Sequence, residues 1–130
     1  MLVVDASVAL SASVADGGFR DLGDDELVAP PLMWSEARSA LHELTWRREI
    51  DHDDAEATRM RLEASPVSVR FPRRLGDEAW AVAEELGWAK TYDAEYVALA
   101  RLLGCRLVTL DARLRRGADR LGFVVGPTEL

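Results

Sequence analysis

The residues of this chain best able to do chemistry are four acids, Asp5, Glu36, Asp93 and Asp111. Asp93 is the most telling. It lies in the stretch Thr91–Ala100, where Tyr96, Val97, Leu99, Ala100 and then Leu103 recur with the period of a helix that has one face in a core. Asp93 stands three and four residues before Tyr96 and Val97 and so projects from the same apolar stripe, whereas Glu95 points elsewhere. A carboxylate on the packed side of a helix must be hydrogen-bonded, cap the helix end, or bind a cation. Taken alone, Asp93 is accounted for by capping: free backbone N–H groups and the positive end of the macrodipole stabilise an acid in a first turn, and Thr91 or Asp93 can supply the cap. Only other acids in the same predicament, brought to the same place, favour a cation.

The elements around the remaining three acids supply that convergence. Leu2-Val3-Val4 is a short apolar run suited to a buried parallel strand, with Asp5 at its carboxyl end. Arg106–Leu110 is a second such strand, followed by Asp111 in the same way. Leu27–Ala29 is a third, closed by Pro30-Pro31, and Pro31 can open a helix running to about Arg48. Met33, Ala37, Ala40, Leu41 and Leu44 form that helix's apolar face, and Glu36 lies on its flank; taken alone, Glu36 reads as an exposed surface acid. Helical turns are expected between Val8 and Ala15, broken by Gly17-Gly18. Another helix is expected from Arg73 to Leu86, stopped by Gly87, and a short basic one after Asp111. Val67, Val69 and Phe71 alternate with polar residues as in a half-buried or edge strand, and Phe123–Val125 forms a last strand. Asp51-His52-Asp53-Asp54 reads as a helix start capped by Asp51 or Asp53 rather than a metal cluster, and His42 has no partner visible in sequence.

Strands separated by helices predict an α/β domain with a parallel sheet, whose functional crevice lies outside the carboxyl ends of the strands. Asp5 and Asp111 sit at such ends, and Asp93 and Glu36 can reach the same edge. Clustered carboxylates in a dry pocket need a cation to stay ionised. An all-oxygen set without His or Cys suits Mg²⁺ or Mn²⁺, which activate water and stabilise displacement at phosphorus. Other acidic crevices fit poorly. Asp5 is single and no lysine follows Lys90, unlike a phosphoacceptor receiver; position 7 is serine, unlike an Asp-x-Asp phosphatase; and there is no Gly-rich phosphate loop or Gly-x-Ser-x-Gly elbow.

The composition sets the frame. The 130 residues, 48% hydrophobic and 30% charged, predict one folded domain over 1–130. No apolar run reaches the ~20 residues of a membrane span, and Met1–Asp5 lacks a basic signal-peptide region, so a cytoplasmic protein is expected. Cys105 is the only cysteine, which excludes an internal disulfide and a multi-cysteine zinc site and suits a small buried side chain. A net charge of −7 argues against a generic nucleic-acid coat, but not against an acidic protein that handles nucleic acid through metal ions and local arginines.

Together, Val3-Val4-Asp5-Ala6-Ser7-Val8, Pro30–Ala37, Thr91–Ala100 and Leu107–Leu114 resemble the PIN-domain ribonucleases, specifically the VapC toxins of toxin–antitoxin modules. The match runs in order along essentially the whole chain. The resemblance implies a PIN-like three-layer domain, with a parallel sheet flanked by helices. It implies Mg²⁺ or Mn²⁺ at Asp5, Glu36, Asp93 and Asp111, and endonucleolytic cleavage of RNA such as tRNA or rRNA. Ser7 and Thr109 fall where the family places hydroxyl residues beside the acids, although local capping explains them equally. Glu95 stays outside the core set, at the entrance or facing an antitoxin. A homodimer and a cognate antitoxin in a hydrophobic groove are also implied. Trp34, Trp46, Leu41 and Leu44 are candidates for that groove, with ordinary core packing equally open for the leucines. Phosphate contacts are expected from Arg113, Arg115 and Arg116, and further from Arg70, Arg73 and Arg74. The alternative function is a non-catalytic PIN domain that binds RNA or protein.

Overall fold

The computed structural model describes residues 1–130. Five short strands, β1 (Leu2–Val4), β2 (Leu27–Ala29), β3 (Ser68–Val69), β4 (Arg106–Val108) and β5 (Val124–Val125), form one sheet in the order β3-β2-β1-β4-β5. Every neighbouring pair is parallel, with Val3 opposite Val28 on one side and Leu107 on the other. β1, β2 and the Leu107–Val108 end of β4 are buried, as continuous apolar runs covered on both faces should be. Six helices flank the sheet: α1 (Ala6–Val14), α2 (Leu32–Trp46), α3 (His52–Glu63), α4 (Leu75–Leu86), α5 (Tyr92–Leu103) and α6 (Ala112–Ala118). The first three pack on one another, α4 packs on α5, and α5 lies against β1 and β4.

The strand order has a direct bearing on the site. The chain proceeds outward from β1 through β2 to β3, then returns to place β4 on the other side of β1. The reversal between β1 and β4 is a topological switch point, where the loops leaving two adjacent strands diverge and open a crevice. Asp5 and Asp111 follow those two strands.

Local sequence explains where most elements stop. Gly87 closes α4 in the left-handed region at φ 71°, a conformation that costs a residue with a Cβ far more. Asp51 is the cap of α3, accepting from the N–H of Asp54 at 2.8 Å, so the Asp51–Asp54 run is a helix start. α2 ends two residues earlier than the apolar pattern suggests, with Arg48 turned to φ 59°. Gly17-Gly18 ends the first helical segment as expected, but Gly18–Leu22 then forms a 3₁₀ turn.

Of the two readings open for the Val67–Phe71 segment, half-buried or edge strand, the structure has the edge strand. Of the alternating residues only Val67 enters the core, whereas Val69 and Phe71 are exposed, Phe71 at 71%. β3 pairs on one side only and is two residues long, and the chain leaves the core after Val67. Likewise β4 stops at Val108 rather than Leu110, because Thr109 and Leu110 turn away into the crevice loop. Cys105 is half-buried rather than fully enclosed.

Candidate active site

Asp5 is the most constrained acid. It caps α1, its Oδ1 accepting from the N–H of Val8 at 3.0 Å and from the Ser7 hydroxyl at 2.6 Å. Its Oδ2 accepts from the Thr109 hydroxyl. The two hydroxyls also tie down the neighbouring loop: Ser7 Oγ accepts from the N–H of Leu110 at 3.0 Å, and Thr109 Oγ1 from that of Asp111 at 2.9 Å. The loops that leave β1 and β4 are thus stitched together around one carboxylate with 4% of its surface exposed. Burial pushes the Asp5 carboxyl above its ordinary value; the Ser7, Thr109 and Val8 donors oppose the rise, and the charge of Asp111 adds to it.

Asp111 caps α6 in the same manner, accepting from the N–H groups of Arg113 at 2.9 Å and Leu114 at 3.3 Å. Asp93 stands in the first turn of α5, half-buried, without a side-chain hydrogen bond to another residue; Thr91 is the cap residue of that helix, also without one. Capping therefore does not occupy Asp93. Its carboxyl is raised by burial and then by the charges of Asp111 and Asp5, with Arg113 opposing. Glu36 reaches the same place from α2. It is raised by burial and by Asp93, Asp5 and Glu95, while a hydrogen bond from Tyr96 holds it down. The charges of these groups thus act on one another across the strand ends and helices, and Glu36 and Asp93 line one cavity.

Tyr96 is the residue that the sequence pattern did not single out for function. Its ring is buried in the core with 1% of its surface exposed, and its hydroxyl donates to Glu36 Oε1 at 2.5 Å. The bond joins α5 to α2 across 60 positions. Burial and the adjoining carboxylate push the phenol well above its ordinary range, so it stays protonated and can donate to Glu36. The available signal was a tyrosine in place of phenylalanine on a buried stripe, since a buried phenol needs a partner.

The donor set fits a hard divalent cation. It offers carboxylate oxygens only, and no His or Cys takes part. An ionised carboxylate has about four acceptor positions; Asp5 receives three donors, Asp111 two and Glu36 one, so each keeps capacity for a ligand bond. No three acidic, His or Cys side chains converge on a single ion-sized point, because Asp5 and Asp111 are turned toward the helix starts they cap. Asp5, Glu36 and Asp93, with protons held more tightly than usual, are groups that a cation would help to ionise.

A cavity of about 500 Å³ adjoins these acids, lined by Glu36 and Asp93 on one side and by Trp88, Lys90, Tyr92 and Arg113 on others. Of the remaining arginines proposed for phosphate contact, Arg115 is held by Glu129 and Asp119, Arg70 by Glu26 and Arg74 by Glu78. Arg116 and Arg73 are exposed and form no ion pair, but neither lines this cavity. Glu95 is partly buried and near enough to raise Glu36. Leu41 is buried in the core and Leu44 partly so, Trp34 packs partly against the core, and Trp46 is 82% exposed.

A parallel sheet with acids at the carboxyl ends of the two strands flanking its switch point, and two more delivered by helices, is the arrangement of a PIN domain. A family model for the PIN domain matches residues 2–120, and the chain belongs to that family. Within it, the chain is similar to Ribonuclease VapC9 of Mycobacterium tuberculosis, with 38% identity over 120 residues and 88% of each chain covered. Among solved structures it resembles PAE2754 from Pyrobaculum aerophilum, with a TM-score of 0.75, 28% identity, and 98% and 90% of the two chains covered. A toxin–antitoxin complex from Klebsiella pneumoniae has a TM-score of 0.69 with 98% of both chains covered; at 16% identity it speaks for the fold alone.

Proposed function

We propose that this chain is a metal-dependent endoribonuclease, the toxin of a toxin–antitoxin pair, with Asp5, Glu36, Asp93 and Asp111 as its catalytic acids. The observation that carries this reading is the placement of Asp5 and Asp111 at the carboxyl ends of β1 and β4, with Asp93 and Glu36 near enough to feel the Asp5 charge and lining one cavity. The name carried by the similar mycobacterial protein, a ribonuclease, agrees with it.

In this reading Mg²⁺ or Mn²⁺ supplies charge neutralisation at the scissile phosphate and a more acidic water. Asp5, Asp93 and Asp111 would hold the ion. Ser7 and Thr109 keep the Asp5 carboxylate in one orientation. Glu36, aligned by the Tyr96 hydroxyl, ligates the ion or orients the attacking water. Its raised proton affinity suits a group that takes a proton as the nucleophile forms. The partners are RNA, a cognate antitoxin that covers the site, and a second copy of the chain. No helix is long and apolar enough to cross a membrane, which is compatible with action on cytoplasmic RNA.

The test is a cleavage assay on total cellular RNA with Mg²⁺ or Mn²⁺, with chelator, and with Asp93→Asn beside the wild type. Cutting that needs the ion and disappears in Asp93→Asn is expected. Undiminished cutting by Asp93→Asn would remove it from the site, and no cutting of any RNA would favour a non-catalytic binding module.

A further inference from the structure

The cavity beside the acids has a composition that metal binding does not explain. Its walls carry Lys90, the only lysine of the chain, together with Arg113 and two aromatic residues, Trp88 and Tyr92. In a protein of net charge −7, many cations are tied to carboxylates, as Arg101 is to Glu78 and Glu85 and Arg115 is to Glu129. Lys90 and Arg113 have no such partner and no side-chain hydrogen bond. Two cations without an ion-pair partner, lining the same cavity as Glu36 and Asp93, leave positive charge available there to a ligand with a localised negative charge.

The aromatic residues have different roles. Trp88 is fixed: a Cβ built on Gly117 of α6 would come within 3.0 Å of its indole, so the ring lies directly on the α6 backbone as part of the wall. Tyr92 is free, with 57% of its surface exposed at the first position of α5, where nothing in the core requires a large ring. It lines this cavity and also a second one, over α2, containing Ser35, Ser39 and Glu43, and Glu36 is shared by both. Tyr92 therefore stands as a ridge beside the catalytic acids, between two depressions.

We propose that the cavity bounded by Trp88, Lys90, Tyr92 and Arg113 is a subsite for one unstacked nucleotide of single-stranded RNA next to the cleaved bond, with Tyr92 stacking on the base and Lys90 and Arg113 contacting phosphate. The proposal rests on the ribonuclease reading above and specifies which strand state it acts on. A volume of about 500 Å³ lies within the ~300–1,000 Å³ usual for small-ligand pockets and suits one nucleotide rather than a length of duplex. Exposed aromatics interleaved with unpaired cations are the recurrent design for holding single strands, because every base has a face on which to stack. A base within a duplex is already stacked on both faces and does not enter.

The test uses a fluorescein-labelled, mixed-sequence 12-nucleotide single-stranded RNA in EDTA, so that binding is read without cutting, with anisotropy as the signal. Tyr92→Ala is expected to weaken binding about 5- to 100-fold, and Tyr92→Phe to stay within about threefold of wild type. Lys90→Gln is expected to lower the slope of log K against log salt by about 0.7, the signature of one lost phosphate contact on a single strand. A duplex of the same sequence should compete poorly. Both residues are exposed, so the variants fold, and melting temperatures verify this. Wild-type affinity and salt slope in both Tyr92→Ala and Lys90→Gln, with RNA still cut by the wild type in Mg²⁺, would overturn the subsite and leave the ribonuclease reading intact. Equal competition by the duplex would overturn the single-strand requirement. A wild type that neither binds this RNA nor cuts any RNA would overturn both readings.

Discussion

Replacing Tyr96 by phenylalanine removes one oxygen atom and isolates the contact that positions Glu36. The lost bond is short, at 2.5 Å, and has a carboxylate as acceptor. Hydrogen bonds to charged groups contribute ~1.5–3 kcal/mol. Because Glu36 is only half-buried, water replaces part of the interaction, which brings the expected loss to ~1–2 kcal/mol. At ~2.1 cal/mol/K per residue, a 130-residue chain has an unfolding entropy near ~0.27 kcal/mol/K, so the melting temperature should fall by ~4–7 °C. The loss also depends on pH in a defined direction. The Tyr96 donor favours ionised Glu36, so its removal raises the Glu36 pKa further above the ordinary 4.5. Destabilisation is therefore greatest where Glu36 is charged and shrinks as pH falls through its folded pKa. In cleavage assays the acidic limb of kcat/KM should move to higher pH, with activity recovering on the alkaline side. A cycle combining Tyr96→Phe with Glu36→Ala should return ~1–2 kcal/mol of coupling. An unchanged melting temperature together with an unmoved acidic limb would refute this account of how Glu36 is held.

Three other substitutions probe the same architecture. Asp93→Asn should abolish cleavage yet raise the melting temperature in chelator near neutral pH. The raised Asp93 pKa means that the wild type is relatively stable below the ordinary value of 3.8 and loses that advantage as pH rises through the folded pKa. The gap between wild type and variant should close at acid pH, and added Mg²⁺ should stabilise the wild type more than the variant. Thr109→Val deprives Asp5 of one donor and the Asp111 N–H of its acceptor; a loss of ~2–3 kcal/mol in urea unfolding is expected, largely restored in Thr109→Ser, and a loss below ~0.5 kcal/mol would contradict it. Gly117→Ala should destabilise by up to ~2 kcal/mol, because overpacking against the Trp88 indole at 3.0 Å outweighs the ~1 kcal/mol gain in helix propensity. A net gain in stability would place the indole elsewhere.

Strong local signals carried most of the architecture. Leu2–Val4 and Leu27–Ala29 are continuous apolar runs ended by polar or proline residues, and both became strands at those boundaries. Asp5, Asp93 and Asp111 could be placed because each is fixed relative to an element whose period or end is visible in sequence. What was not legible depended on long-range geometry. The alternation of Val67, Val69 and Phe71 allows a half-buried or an edge strand, but does not decide between them or show that Val69 and Phe71 stay exposed. The Tyr96–Glu36 bond joins two helices with unrelated local sequences. The roles of Lys90 and Tyr92 arise only when the turn before α5 is brought beside α6.

The two strand-end acids are also helix caps, and at Asp111 this leaves the fold nearly indifferent to the loss of its charge. Asparagine caps a helix about as well as aspartate, since its amide oxygen accepts the same backbone N–H bonds. Asp5→Asn would set an amide N–H₂ against one of the donors that both Asp5 oxygens now receive, whereas Asp111→Asn keeps α6 anchored while removing a charge that a divalent ion requires. Inactivation by this route spares the scaffold and the RNA-facing surface. A lineage carrying this domain has a short, structurally silent path from a cutting protein to one that only binds.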